Sequence, residues 1–128
     1  MFCVNLLTAV VACAAVIPYL LRTKRGAIVN IGATGAVKAT CGIGAYAASK
    51  AGVLKLTEAL ADEVKDLGIT VKAVSPSILD TPGNRASMPN ADFTRWVSPM
   101  AVAEAIGFLL SDQARDISGV SLPVAGRA

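Results

Sequence analysis

Apolar and polar positions fall in blocks along this chain, and each block has the period of a particular element. Residues 1–21 are almost all apolar, which predicts a first helix without a polar face. Gly26-Ala-Ile-Val-Asn-Ile31 reads as a short apolar strand, followed by a glycine-rich loop from Gly32 to Gly44. Beyond it, Val53, Leu56, Leu60, Val64 and Leu67 recur at three- and four-residue spacing, while Lys55, Glu58, Asp62 and Lys65 lie largely off that stripe. This spacing predicts a second, amphipathic helix, with Gly68 as its stop signal. Gly68 to Pro76 reads as a second strand ending in a turn. Ser98 before Pro99 is a cap and first-turn signal for a third helix, whose Val102, Ile106 and Leu109 share one face. A last strand near Val120–Val124 contains Pro123, which argues for a sheet edge. The order helix, strand, helix, strand, loop, helix, strand predicts an α/β layered domain with a parallel sheet.

Two segments carry more than one reading. The apolar run at 1–21 is followed by Arg22, Lys24 and Arg25, the pattern of a membrane span with a positive flank. Asn5, Thr8 and Pro18 interrupt it, and its small residues also suit a helix buried between protein elements. A signal peptide fits less well, because no basic region precedes the run. In the second helix, Ala47, Ala48, Ala51 and Gly52 make the first turns small. Small side chains admit another helix or a cofactor closely, and they equally suit tight packing within the chain.

Composition narrows the class. A length of 128 residues suits one domain. With 54% hydrophobic and 16% charged residues, the chain reads as globular. The net charge of +3 is small and its basic residues are scattered, so no nucleic-acid surface is expected. Cys3, Cys13 and Cys41 are odd in number, lack metal-ligand spacing and have no histidine beside them. No metal site is expected, and the thiols read as reduced residues of a cytoplasmic protein. Without histidine, Ser-His-Asp and Cys-His constellations are excluded within this chain.

The candidate chemistry lies in Tyr46-Ala-Ala-Ser-Lys50. A tyrosine and a lysine four apart share one helical face. A phenol titrates near ~10 and a lysine near ~10.4 when unperturbed, so an adjacent ammonium that favours phenolate brings the tyrosine toward working pH. Spacing alone equally describes an ordinary amphipathic contact. Gly42-Ile-Gly44-Ala-Tyr-Ala47 has the form of a dinucleotide fingerprint. It fails on context, because its glycines lie about ten residues past the strand and Glu63 falls within the helix.

Together, Tyr46 and Lys50, the strand and glycine-rich loop before them and the strand and Ser75-Pro-Ser-Ile-Leu-Asp-Thr81 turn after them resemble the short-chain dehydrogenase/reductase family. The resemblance runs over essentially the whole chain. It implies a Rossmann-type parallel sheet with flanking helices, in its C-terminal half only. Residues 1–128 would form a partial NAD(P)-binding domain lacking the N-terminal TGxxxGxG portion. The implied activity is hydride transfer between nicotinamide and a small carbonyl, alcohol or related substrate. Tyr46 would be proton donor and acceptor, with Lys50 lowering its pKa and touching the nicotinamide ribose. Asn5, in Val-Asn-Leu, matches the family's helix asparagine and would support a water-linked proton path; an ordinary polar residue at a helix start is its other reading. Pro76, Leu79 and Thr81 would hold NAD or NADP, with Thr81 on the carboxamide.

The pattern breaks at the family's serine, whose position thirteen residues before Tyr46 is Ala33. Alanine cannot donate a hydrogen bond. Thr34 has a hydroxyl, but in an extended segment it faces the other way. Ala33 and Thr34 are therefore the expected substrate neighbours, and alanine here is similar to the dihydropteridine-reductase-like branch. Met88, Phe93 and Trp96 could line a substrate pocket or simply pack. The resemblance further implies a homo-oligomer joined through the first two helices, with no membrane partner; a non-catalytic fragment that keeps only this association surface is the alternative.

Overall fold

The computed structural model describes all 128 residues. A π-helical turn at Cys3–Leu7 runs into α1 (Thr8–Thr23), followed by β1 (Gly26–Ile31), α2 (Gly44–Val64), β2 (Ile69–Pro76), α3 (Pro82–Ser87), α4 (Pro99–Leu110) and β3 (Ser121–Val124). The strands lie in the order β1-β2-β3, all parallel. Gly26 is level with Ile69 and Ile31 with Val74, while Ala73 is level with Ser121 and Pro76 with Val124. Pro123 thus sits on an edge strand of this sheet, as its missing N–H requires. The short α3 falls inside the expected loop. Its signal is Thr81-Pro82, a cap followed by proline in the first turn.

β2 is buried along nearly its whole length, and its alternate side chains serve two different cores. On one face Ile69 and Val71 pack with Ala61 and Val64 of α2, joined by Ile17 and Leu20 of α1. On the other, Val74 packs with Val102 and Leu109 of α4, Val97 and Ala114. Helices therefore cover both sheet faces. Burying each such valine or leucine contributes about 1.5–3 kcal/mol. Gly68 lets the chain leave α2 and enter β2: its φ is +76°, and a Cβ there would lie 2.1 Å from the Lys24 carbonyl oxygen.

The buried stripe of α2 is Ala47, Ser49, Val53, Thr57, Ala61 and Val64. The expected stripe is corrected here: Leu56 and Leu60 are half-buried and Leu67 is exposed. The inner face lies against β2, and beside it the π-helical turn approaches closely: a Cβ on Gly52 would lie 2.8 Å from Leu6 Cδ2. A chain of polar contacts ties α1, β1 and α2. Cys13 Sγ donates to Asn30 Oδ1 at 3.6 Å, Asn30 Nδ2 to Thr57 Oγ1 at 3.0 Å, and Thr57 Oγ1 to the Val53 carbonyl at 2.8 Å. Burial pushes the Cys13 thiol pKa up, leaving it a packing residue.

Cys3–Thr23 is long and apolar enough to cross a membrane by length and composition, and only 6% of its most apolar stretch is buried. Pro18 does not break this helix; the turn around it faces outward, where water can take the carbonyl that proline leaves unpaired. In the middle of β2, level with Val29, Lys72 is fully buried. Its Nζ donates to the carbonyls of Leu109 at 2.6 Å and Ala114 at 3.0 Å, closing the C-terminal end of α4. Burial pushes its pKa down, while the helix dipole favours the cation.

Candidate active site

The carboxyl ends of β1 and β2 open into a cavity of about 690 Å³ lined by 17 residues. Its floor is the chain leaving β1. Gly32 extends the strand ladder by donating to the Val74 carbonyl at 2.7 Å. A Cβ there would lie 2.6 Å from Ser75 Oγ and 2.7 Å from Leu54 Cδ2, so any larger residue must push those side chains aside. Ala33 is extended and buried, and a 3₁₀ turn begins at Thr34. That turn corrects the expectation that Thr34 faces away. The alternation of an extended chain ends at Ala33, so both residues line the cavity.

Tyr46 and Lys50 come from the first two turns of α2, and both line the cavity. Lys50 Nζ donates to the carbonyl of Ile31, the last residue of β1, at 2.9 Å. Burial pushes the Lys50 pKa down. A cation is thus fixed one helical turn from a phenol. Pro76 ends β2, and with Ser77, Ile78 and Leu79 it forms the opposite wall. Leu79 is held by an isolated parallel bridge to Val97, and its carbonyl accepts from Asn84 Nδ2 at 2.8 Å.

Two expected residues stand off this wall. Asn5 lies in the π-helical turn, where its Nδ2 donates to Ser49 Oγ at 3.0 Å, and Ser49 in turn donates to the Tyr46 carbonyl at 2.7 Å. It therefore touches the Tyr46 turn through Ser49 instead of facing the cavity. Thr81 caps α3, its Oγ1 accepting from the Asn84 N–H at 3.2 Å. The lining residues do not include it. Met88 lines the cavity, whereas Phe93 and Trp96 pack on each other with ring centroids 4.8 Å apart. Sequence reasoning passed over Lys38, Thr40, Ile43 and Asn84, which also line it. Asn84 had a signal, three residues after a capping threonine; the loop residues had none.

A parallel sheet covered on both faces, with a cavity at the strands' carboxyl ends, is a Rossmann-type α/β architecture. The chain belongs to the short-chain dehydrogenase/reductase family: residues 1–92 match the short chain dehydrogenase family. It is 36% identical over 121 residues to a 3-oxoacyl-(acyl-carrier-protein) reductase of Pseudomonas aeruginosa, an alignment covering 88% of this chain and 49% of that protein. The crystal structure of 3-ketoacyl-(acyl-carrier-protein) reductase from Brucella melitensis complexed with NADH matches with a TM-score of 0.84 and 32% identity, over 95% of this chain and 53% of that one. 4-Hydroxyisoleucine dehydrogenase complexed with NADH matches with a TM-score of 0.85 and 30% identity, over 98% and 56%. The chain spans about half the length of the curated relatives it matches.

Proposed function

We propose that this chain carries the acid–base centre of an NAD(P)-dependent oxidoreductase, which transfers hydride between nicotinamide and a small carbonyl or alcohol substrate. The reading rests on the convergence of Tyr46, Lys50, Ala33 and the Pro76–Leu79 turn on one cavity at the carboxyl ends of the sheet. The volume suits a cofactor head with a small substrate, and an apolar wall at Ile78 and Leu79 beside Tyr46 and Lys50 suits nicotinamide and its ribose. Nicotinamide, when bound, supplies the hydride chemistry. Tyr46 holds or gives up the proton at its phenolic oxygen. Lys50, steadied by the Ile31 carbonyl one helical turn from that phenol, faces the ribose. Asn5 acts on this centre through Ser49. Pro76 and Leu79 hold the cofactor by shape, and the Thr81 hydroxyl, which accepts the cap bond, keeps its proton for the carboxamide. Ala33 offers the substrate no donor, so Thr34 is the nearest hydroxyl on that wall. The dihydropteridine-reductase-like reading rests on Ala33 alone.

Half-length coverage of the relatives supports reading residues 1–128 as part of a larger NAD(P)-binding domain that includes a TGxxxGxG portion. A cytoplasmic, membrane-free protein is favoured because a match over 98% of the chain gives the apolar first helix an equivalent in an NADH-bound enzyme fold. A second reading, a non-catalytic association element forming a homo-oligomer through α1 and α2, is favoured by the exposed Val4, Leu7, Val11 and Tyr19 of the first helix. Titration of the chain with NADH and NADPH, followed by fluorescence, separates the two. Saturable binding with substrate-dependent turnover, lost about 10²–10⁴-fold in Tyr46→Phe, supports the enzyme; an oligomer that binds neither nucleotide supports the association element.

A further inference from the structure

The charged side chains that line the cavity are of one sign. They are Lys38 and Lys50, and no aspartate or glutamate is among the lining residues. The carboxylate nearest in sequence to the Leu79 wall, Asp80, is held by Arg85 through two bonds of 2.6 and 2.8 Å. Lys50 is committed in part to the Ile31 carbonyl. Lys38 is exposed and takes no part in the chain's ion pairs, which join Arg25 to Asp112, Lys55 to Glu58, Lys65 to Asp62, Arg85 to Asp80 and Arg115 to Asp116. Its backbone N–H closes on the Thr34 carbonyl at 3.3 Å, which fixes the loop carrying it beside the Ala33–Thr34 floor. Facing this polar loop, Ile78, Leu79 and Met88 give an apolar wall. A cavity walled by low-dielectric side chains, and whose charged side chains are two lysines, favours anions.

We infer that the cavity selects an anionic substrate, a carbonyl or alcohol compound bearing a carboxylate or similar group on an apolar body, and that Lys38 is the residue that selects the anion. This deepens the oxidoreductase reading and rests on it for the reacting carbon. A cofactor phosphate is the other anion Lys38 could meet, and the test separates the two sources.

The ¹⁵N-labelled chain is titrated by NMR with 4-(hydroxymethyl)benzoate and with its neutral methyl ester. The acid is expected to bind about threefold to fivefold more tightly than the ester, the size of effect of one exposed charge pair. That preference should fall with added salt, vanish in Lys38→Gln and survive in Lys38→Arg. Equal binding of acid and ester, binding of neither, or equal weakening of both in Lys38→Gln overturns the inference. So does a Lys38→Gln chain that loses NADH affinity but keeps the acid preference, because Lys38 would then serve the cofactor. An acid preference that depends on Lys38, with no NAD reduction by the wild-type chain, supports anion selection and contradicts the oxidoreductase reading.

Discussion

Lys50, on α2, and Lys72, in the middle of β2, reach away from the same sheet and invite comparison. Each donates to backbone carbonyls, Lys50 to Ile31 and Lys72 to Leu109 and Ala114. Burial pushes both pKa values down. Yet Lys50 stands half-buried in a cavity wall one turn from a phenol, while Lys72 has no exposed surface and spends its charge on the end of α4. A depressed lysine pKa therefore does not by itself mark chemistry. What separates the two is a phenol one turn away and a cavity of about 690 Å³, against about 160 Å³ for the recess beside Lys72.

The largest expected effect is on the Lys50 side. Lys50→Ala should lower kcat/KM by about 10²–10⁴-fold, the range of a positioned acid–base system, while costing only about 1 kcal/mol of stability for one hydrogen bond. Steady-state kinetics and a urea midpoint on the same preparation check both halves. Lys72→Ala should do the reverse. It removes a buried chain and strands two carbonyls, so a loss of about 2–4 kcal/mol is expected in urea unfolding, with NADH affinity unchanged once the folded fraction is counted. A Lys72→Ala chain that stays stable but loses NADH would break the comparison.

Much of this division was legible in the sequence, and the part that was not has two causes. Tyr46, Lys50 and the strand before them could be read because their spacing is local, and Gly68 could be read because a left-handed turn there needs glycine. The burial of Lys72 could not, since its acceptors lie 37 and 42 residues away. The same holds for α2, where a stripe of larger residues looked like the core. The face that meets β2, far away in sequence, instead carries Ala47, Ser49, Thr57 and Ala61 beside Val53 and Val64. Thr34 was misread for a different reason: period-two alternation holds only while the chain is extended, and the 3₁₀ turn starts at that residue.

Smaller effects sharpen the contrast. Gly32→Ala forces a Cβ against Ser75 and Leu54, so it should cost about 1–3 kcal/mol and weaken nucleotide binding as well, because Gly32 lines the cavity. The smallest effect is a pH dependence. With the native pKa of Lys72 below its unfolded value near ~10.4, the unfolded chain binds more protons between the two values, and stability rises with pH across that window. Below the native pKa the burial penalty is constant. Lys50 contributes in the same direction, while Cys13, whose thiol pKa burial raises, and Lys65, whose pKa is raised beside Asp62, contribute in the opposite one. Urea midpoints taken from about pH 8 to about pH 10.4 should therefore rise less steeply in Lys72→Met than in the wild-type chain.

Hydrogen–deuterium exchange with and without saturating NADH tests most directly whether the Tyr46/Lys50 cavity is the nicotinamide site. The account predicts protection confined to residues 31–38, 44–50 and 76–88, with the Lys72-capped segment 109–115 unchanged. Protection centred on 109–115, or saturable binding with no protection around Tyr46, would contradict it.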